Sequence, residues 1–170
     1  MEFALIFPIF MILVLGTIAV GTAFSRQSNV TQAAREASRY GATYDISGPA
    51  VGITNWLTAV DMAVQQSAGA ASNPLGGYDY RCVAVVKITN PAVGVPLTVD
   101  AAKSHYMATL TGSASTTGTT SCPGTSPALI RGASYVQVVL SRNVNLFVLF
   151  ANPTLHLDAV STTPYEGTTL

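Results

Sequence analysis

Charge is what this chain has least of. Eight residues are Lys or Arg and eight are Asp or Glu, so 9% of 170 residues are charged, against about 25% in an ordinary soluble domain. Formal net charge is +0, and neither a basic patch for nucleic acid nor a charge run for an ionic partner stands out. Histidine occurs only at His105 and His156, and HExxH, GxSxG, GxxxxGK and GxGxxG are all missing. That removes the usual signatures of zinc hydrolysis, acyl transfer and phosphate or dinucleotide binding. Asp79, Asp100 and Asp158 are scattered without the spacing of a calcium loop. No CxxC or Cys/His cluster has metal-ligand spacing. The expectation is a protein that is not an enzyme, with no catalytic residues, no metal and no cofactor.

What is present begins at the first residues, MEFALIFPIFMILVLGTIAVGTAF. Glu2 is the one charge at the head, nothing from Phe3 to Phe24 is charged, and the first cation is Arg26. A helix crossing the hydrocarbon core needs about 20 apolar residues, and this segment supplies them. A secretory signal would carry a basic head, a shorter apolar stretch and a small-residue cleavage site, so that reading fails. Hydrophobic residues make up 49% of the chain, and mean hydropathy is +0.41. Beyond residue 24 the charge stays low because Ser, Thr, Gly and Asn replace Lys and Glu, which suits an extracellular surface buried against copies of itself or covered by glycan. The length suits one compact domain plus a long anchor helix.

Residues 2 to about 44 read as one long helix. Pro8 lies in its early turns, where the missing N–H loosens the backbone ladder, a loss that apolar-phase helices tolerate. Gly16 and Gly21 thin the surface for close approach by another helix. After Phe24 the pattern becomes amphipathic: Val30, Ala33, Ala34, Ala37, Tyr40, Gly41 and Tyr44 share a 3–4 spacing, with Arg26, Arg35, Glu36 and Arg39 elsewhere. This small-residue side suits either a neighbouring subunit or the chain's own domain, or both in turn. Asp45, Gly48 and Pro49 are stop signals.

A second helix is expected from Ile53 to Ala71, with Trp56, Leu57, Val60 and Val64 as its apolar stripe. SNPLGGYDY (72–80) reads as a loop and RCVAVVKIT (81–89) as a buried strand. Pro91, Gly94 and Pro96 mark residues 90–104 as a connection or irregular edge, and SHYMATLTG as a short strand. TGSASTTGTTSCPGTSP (111–127) is a low-complexity Ser/Thr/Gly loop. Strands follow at 133–142 and 155–160, with an apolar run at 144–150 and a loosely ordered tail. The fold class is α+β: a long N-terminal helix, then one further helix on a small, mainly antiparallel sheet. Two units are expected, 1–44 (1–24 of it membrane or filament core) and an extracellular domain over 45–170.

Cys82 and Cys122 form an even pair, and in an exported chain the default is a disulfide. Asn29-Val30-Thr31 matches the N-glycosylation pattern by chance, inside the helix. O-linked sugar suits the loop residues Ser113, Ser115, Thr116, Thr117, Thr119 and Thr120, whose bland reading is a plain flexible loop.

The first forty residues resemble the TadE-like family of the tight-adherence (Tad) branch of type IV pilins. The resemblance rests on Glu2-Phe3-Ala4-Leu5, Pro8, the apolar run to Phe24, and TQAAREASRYGAT (31–43), where Ser38 replaces the usual alanine. It implies a prepilin-type protein: inserted in the inner membrane, trimmed by a prepilin peptidase, and drawn by the Tad secretion machinery into an extracellular homopolymeric filament. No glycine or basic leader precedes Glu2 here, so either a leader and a few mature residues lie ahead of this numbering, the favoured expectation, or Met1 is the true start and such processing does not apply. A carboxylate in the apolar layer costs about 2.5–3.5 kcal/mol unless partnered. In pilins generally a neighbour's free amine supplies the partner and fixes axial register; the bland reading is a solvated Glu2 at the membrane edge.

The sequence therefore leads us to expect a pilin subunit of a surface filament serving adhesion, attachment or motility. Its assembly residues would be Glu2, Phe3, Pro8, Gly16, Gly21, Ala33, Ala37 and Gly41. The rivals are a minor pseudopilin at the tip or in assembly, and a bitopic membrane protein whose outer domain binds a ligand.

Overall fold

The computed structural model describes residues 3–46, 52–67, 79–89, 98–110, 113–117, 122, 133–145 and 154–167. Among the described residues, two helices and five strands follow one another as α1 (Phe3–Thr43), α2 (Gly52–Ser67), β1 (Tyr80–Thr89), β2 (Thr98–Leu110), β3 (Ser113–Thr117), β4 (Ser134–Asn145) and β5 (Thr154–Pro164). The strands form one sheet in the order β3-β2-β1-β4-β5, every ladder antiparallel. The α+β class holds.

α1 is 41 residues long, so at ~1.5 Å per residue it spans about 60 Å. Only its second half is held by the domain. There Val30, Ala33, Ala34, Ala37 and Ala42 are buried in one cluster with Trp56, Leu57, Val60 and Val64 of α2. The sheet adds Val83, Val85, Met107, Val136, Val138, Leu140 and Ala159 to that cluster. The 3.6-residue period of the helices and the 2-residue period of the strands put these side chains on facing surfaces. α1 lies over β4 and β5, and α2 reaches β1 and β2.

The opposite sheet face carries Cys82, Ala84, Val86, Tyr135 and Val139, packed with Cys122. Both faces of β1 are therefore covered, which is why its sequence is almost continuously apolar rather than alternating. The Cys82–Cys122 disulfide is formed, with Cα atoms 5.7 Å apart. It ties residue 122 to this second face. Arg81 on β1 meets Asp61 on α2 at 2.8 Å, and Gln65 Nε2 donates to the same carboxylate at 2.7 Å.

The end of α1 is closed by its own domain. Trp56 Nε1 donates to the carbonyls of Gly41 and Tyr44, both at 3.2 Å. The Glu166 N–H donates to Ala42 O at 3.1 Å, and the Tyr165 hydroxyl donates to Tyr44 O at 3.3 Å. These donors satisfy last-turn carbonyls that have no partner within the helix.

Four expectations change. Residues 98–104 belong to strand β2 rather than to a connection. The register with β1 jumps between Val85 and Lys87, whose partners are His105 and Asp100; such a bulge lets a strand continue through an irregular pattern. Ser113–Thr117 form strand β3 on β2 rather than loop, because β-branched Thr suits an edge strand whatever its complexity. The tail is ordered to Glu166: β5 runs through Pro164, and Tyr165 and Glu166 are fastened to the end of α1 by their hydrogen bonds to its carbonyls. Tyr40, placed with the apolar side of α1, is exposed. The expected helix beyond Ser67, the loop at 72–78 and the run at 146–150 lie outside the described residues.

Candidate assembly surface

Along the first half of α1 the side chains that define its character point into solvent. Ile6, Phe7, Ile9, Phe10, Met11, Ile12, Leu13, Leu15, Ile18, Val20 and Phe24 are all exposed, Phe24 to 78%. No other element of the described chain covers them. The few polar groups on this rod are spoken for. Thr17 Oγ1 donates to Val14 O at 2.8 Å and Thr22 Oγ1 to Ala19 O at 2.9 Å, so neither hydroxyl demands water. The helix is long and apolar enough to cross a membrane by length and composition, and the same surface could pack on other helices.

The rod becomes part of the domain over one turn. Gln27 Nε2 donates to Asp158 O on β5 at 2.9 Å, and Val30 starts the buried stripe. Ser38 secures the stripe further on. Its side chain is fully buried, and its hydroxyl donates to Arg35 O at 2.9 Å. That uses its one proton, so the hydroxyls of Ser161 and Thr163, at 2.7 and 2.8 Å, donate to it. A serine here cross-ties α1 to β5 where alanine would leave two strand hydroxyls without this acceptor.

The residues singled out from the sequence fall into three groups. Gly16 and Gly21 lie on the open rod with no atom near the position of a Cβ, and Pro8 lies within it. Phe3 is the first residue of α1, while Glu2 lies outside the described residues. Ala33, Ala37 and Gly41 are used up inside the subunit: they are buried, and a Cβ on Gly41 would meet Trp56, Val60 and Val136. The small-residue side is thus the domain's own packing face. Ser113, Ser115, Thr116 and Thr117 stand on β3; Thr119 and Thr120 lie outside the described residues.

Sequence reasoning missed the outward side of the helix pair. A groove of about 1040 Å³ lies there, with Ala37, Ala59 and Ala63 beside Tyr40 and Met62. An exposed tyrosine and an exposed methionine, each three residues after an alanine (Ala37 and Ala59), were the available signal. Among the described residues no group of three or more His, Cys, Asp or Glu could hold a metal ion.

Residues 1–39 match the model of the TadE-like protein family. That match spans the whole exposed rod and the first turns of the buried stripe. No curated protein and no solved structure matches the chain. The family match and the apolar helix together point to a Tad pilus-associated protein with a membrane or surface location.

Proposed function

We propose that this chain is a pilin subunit that polymerises through α1 into an extracellular Tad-type filament. Before assembly the rod stands in the inner membrane; a prepilin peptidase and the Tad secretion machinery process and extract it. In the filament, sister rods replace lipid around the same side chains. The observation that carries this reading is the uncovered apolar surface of Ile6–Phe24, continuous with a folded domain at its far end. Each ~1,000 Å² of apolar surface withdrawn from water contributes about 25 kcal/mol before ordering costs. A dispersed soluble monomer forgoes that term. Glu2, Phe3, Pro8, Gly16 and Gly21 are the residues to which we assign close packing and register. The domain over 45–170, with O-linked sugar at the Ser and Thr positions of 113–120, faces the medium and serves attachment or motility.

Mass spectrometry of sheared surface fibres tests this. The reading requires this chain as the dominant component, oxidised at Cys82–Cys122, with its mature N-terminus and any sugar visible in the same spectra. Scarcity in the fibres would assign it to the tip or to assembly instead. Fibres lacking the chain altogether would overturn the proposal.

A further inference from the structure

The groove between α1 and α2 does not end at the domain. A smaller depression of about 280 Å³ runs from the exposed Phe24 to Gln32 and Arg35, and the latter two residues also line the main groove. One continuous valley thus leads from the foot of the rod to the end of α1. Half-buried Ala59 and Ala63 keep the α2 side of its floor low, so a third helix could approach that backbone closely. Its apolar walls are Tyr40, 42% exposed, and Met62, 50% exposed, set among the polar Gln32, Thr43, Gln66 and Ser67. Apart from the rod, the only other large apolar side chains so exposed among the described residues are Leu155 and Val160 on β5.

We propose that this groove seats the apolar segment Phe3–Phe24 of α1 from a second copy of the chain. The inference rests on the polymer reading above and deepens it by naming the receiving surface. Three observations select that occupant. The valley is continuous with the rod, so whatever sheathes the rod extends into it without a break. The rim charges Arg35, Glu36 and Arg39 are exposed and can stay in water at the edge, while Phe3–Phe24 brings no charge of its own to be desolvated between Tyr40 and Met62. The rod is itself a helix with its apolar side chains uncovered, present in the same number as the grooves. Donor and acceptor surfaces differ on one chain, so the contact is heterologous and head-to-tail. A contact of that type that does not close into a ring propagates as a helical filament.

The test places the photo-cross-linking residue p-benzoylphenylalanine at Met62 in the full chain, in cells that make fibres. After irradiation and shearing, the adduct should be a dimer whose second copy contributes the tryptic peptide ending at Arg26. An adduct to peptides of the sheet, to a later part of α1 or to a different protein would overturn the groove assignment, as would the absence of any dimer. A second variant, Ala63→Arg, puts a charge into the groove from its partly open side. Fibre yield should fall roughly tenfold, the factor that corresponds to about 1.4 kcal/mol of contact free energy, with membrane levels and Cys82–Cys122 oxidation unchanged. Unchanged yield would also overturn it. Fibres that contain the chain but show no rod adduct at Met62 defeat the groove alone; fibres without the chain defeat the polymer reading itself.

Discussion

Gly41→Ala sets two effects of known size against each other. Alanine is the better helix former, by about 1 kcal/mol. The new methyl, however, would sit 3.0 Å from Trp56 Cζ2 and 3.1 Å from both Val136 Cγ1 and Val60 Cγ2. Those neighbours cannot yield easily. Trp56 is fully buried and pinned through its indole N–H to the carbonyls of Gly41 and Tyr44 at the end of α1, and both valines are fully buried. Overpacking of this kind costs roughly 1–3 kcal/mol, so the clash wins and the net loss is about 1 kcal/mol. The assay is urea unfolding of the full chain in detergent micelles, read by the fluorescence of Trp56, the one tryptophan. With a slope of ~2 kcal/mol/M, the midpoint should drop by about 0.5 M. An equal or higher midpoint would refute the reasoning. It would show that α1 can ride outward at no cost, and would return Gly41 to the contacts between subunits.

Three further perturbations probe the domain. Replacing Cys82 and Cys122 together by Ser should cost about 4 kcal/mol in the chain-entropy model for a 40-residue separation, seen as a lower unfolding midpoint that matches the reduced wild type. Gln137 is fully buried on β4, and among the described residues neither its amide nitrogen nor its amide oxygen has a partner; Gln137→Met should therefore stabilise by about 1–3 kcal/mol, and a lower midpoint would show that the amide is satisfied after all. The Tyr80 phenol is pushed above its usual 10.0, first by burial and then by Tyr106. A group raised on folding contributes its stability below the unfolded value and loses it as pH rises through the folded one. Unfolding midpoints should thus fall above about pH 10, and Tyr80→Phe should flatten that fall; an identical slope in the variant would contradict the assignment.

How much of this was legible in the sequence depended on the kind of signal. α1 and the valine-rich β1 were plain because long apolar runs and stop residues act locally. β3 and the far end of β2 were not, since Ser, Thr and Gly declare little and the pairing that orders them comes from a distant strand. The alanine stripe was seen but its partner was not: spacing shows that a face is small and apolar, not whether a sheet or a sister helix fills it. Ser38 read as a mere change from alanine until Ser161 and Thr163 were placed against it. The groove escaped because it belongs to two helices at once, and no single periodicity describes it.

The most direct test of the central claim is a helical reconstruction of sheared surface fibres at side-chain resolution. The account predicts an axial bundle built from Phe3–Phe24 of many copies, with the rod side chains shielded from water and the sheets outside. A fibre whose interior is built from any other segment, or one in which Ile6–Phe24 lies on the solvent side, would contradict it.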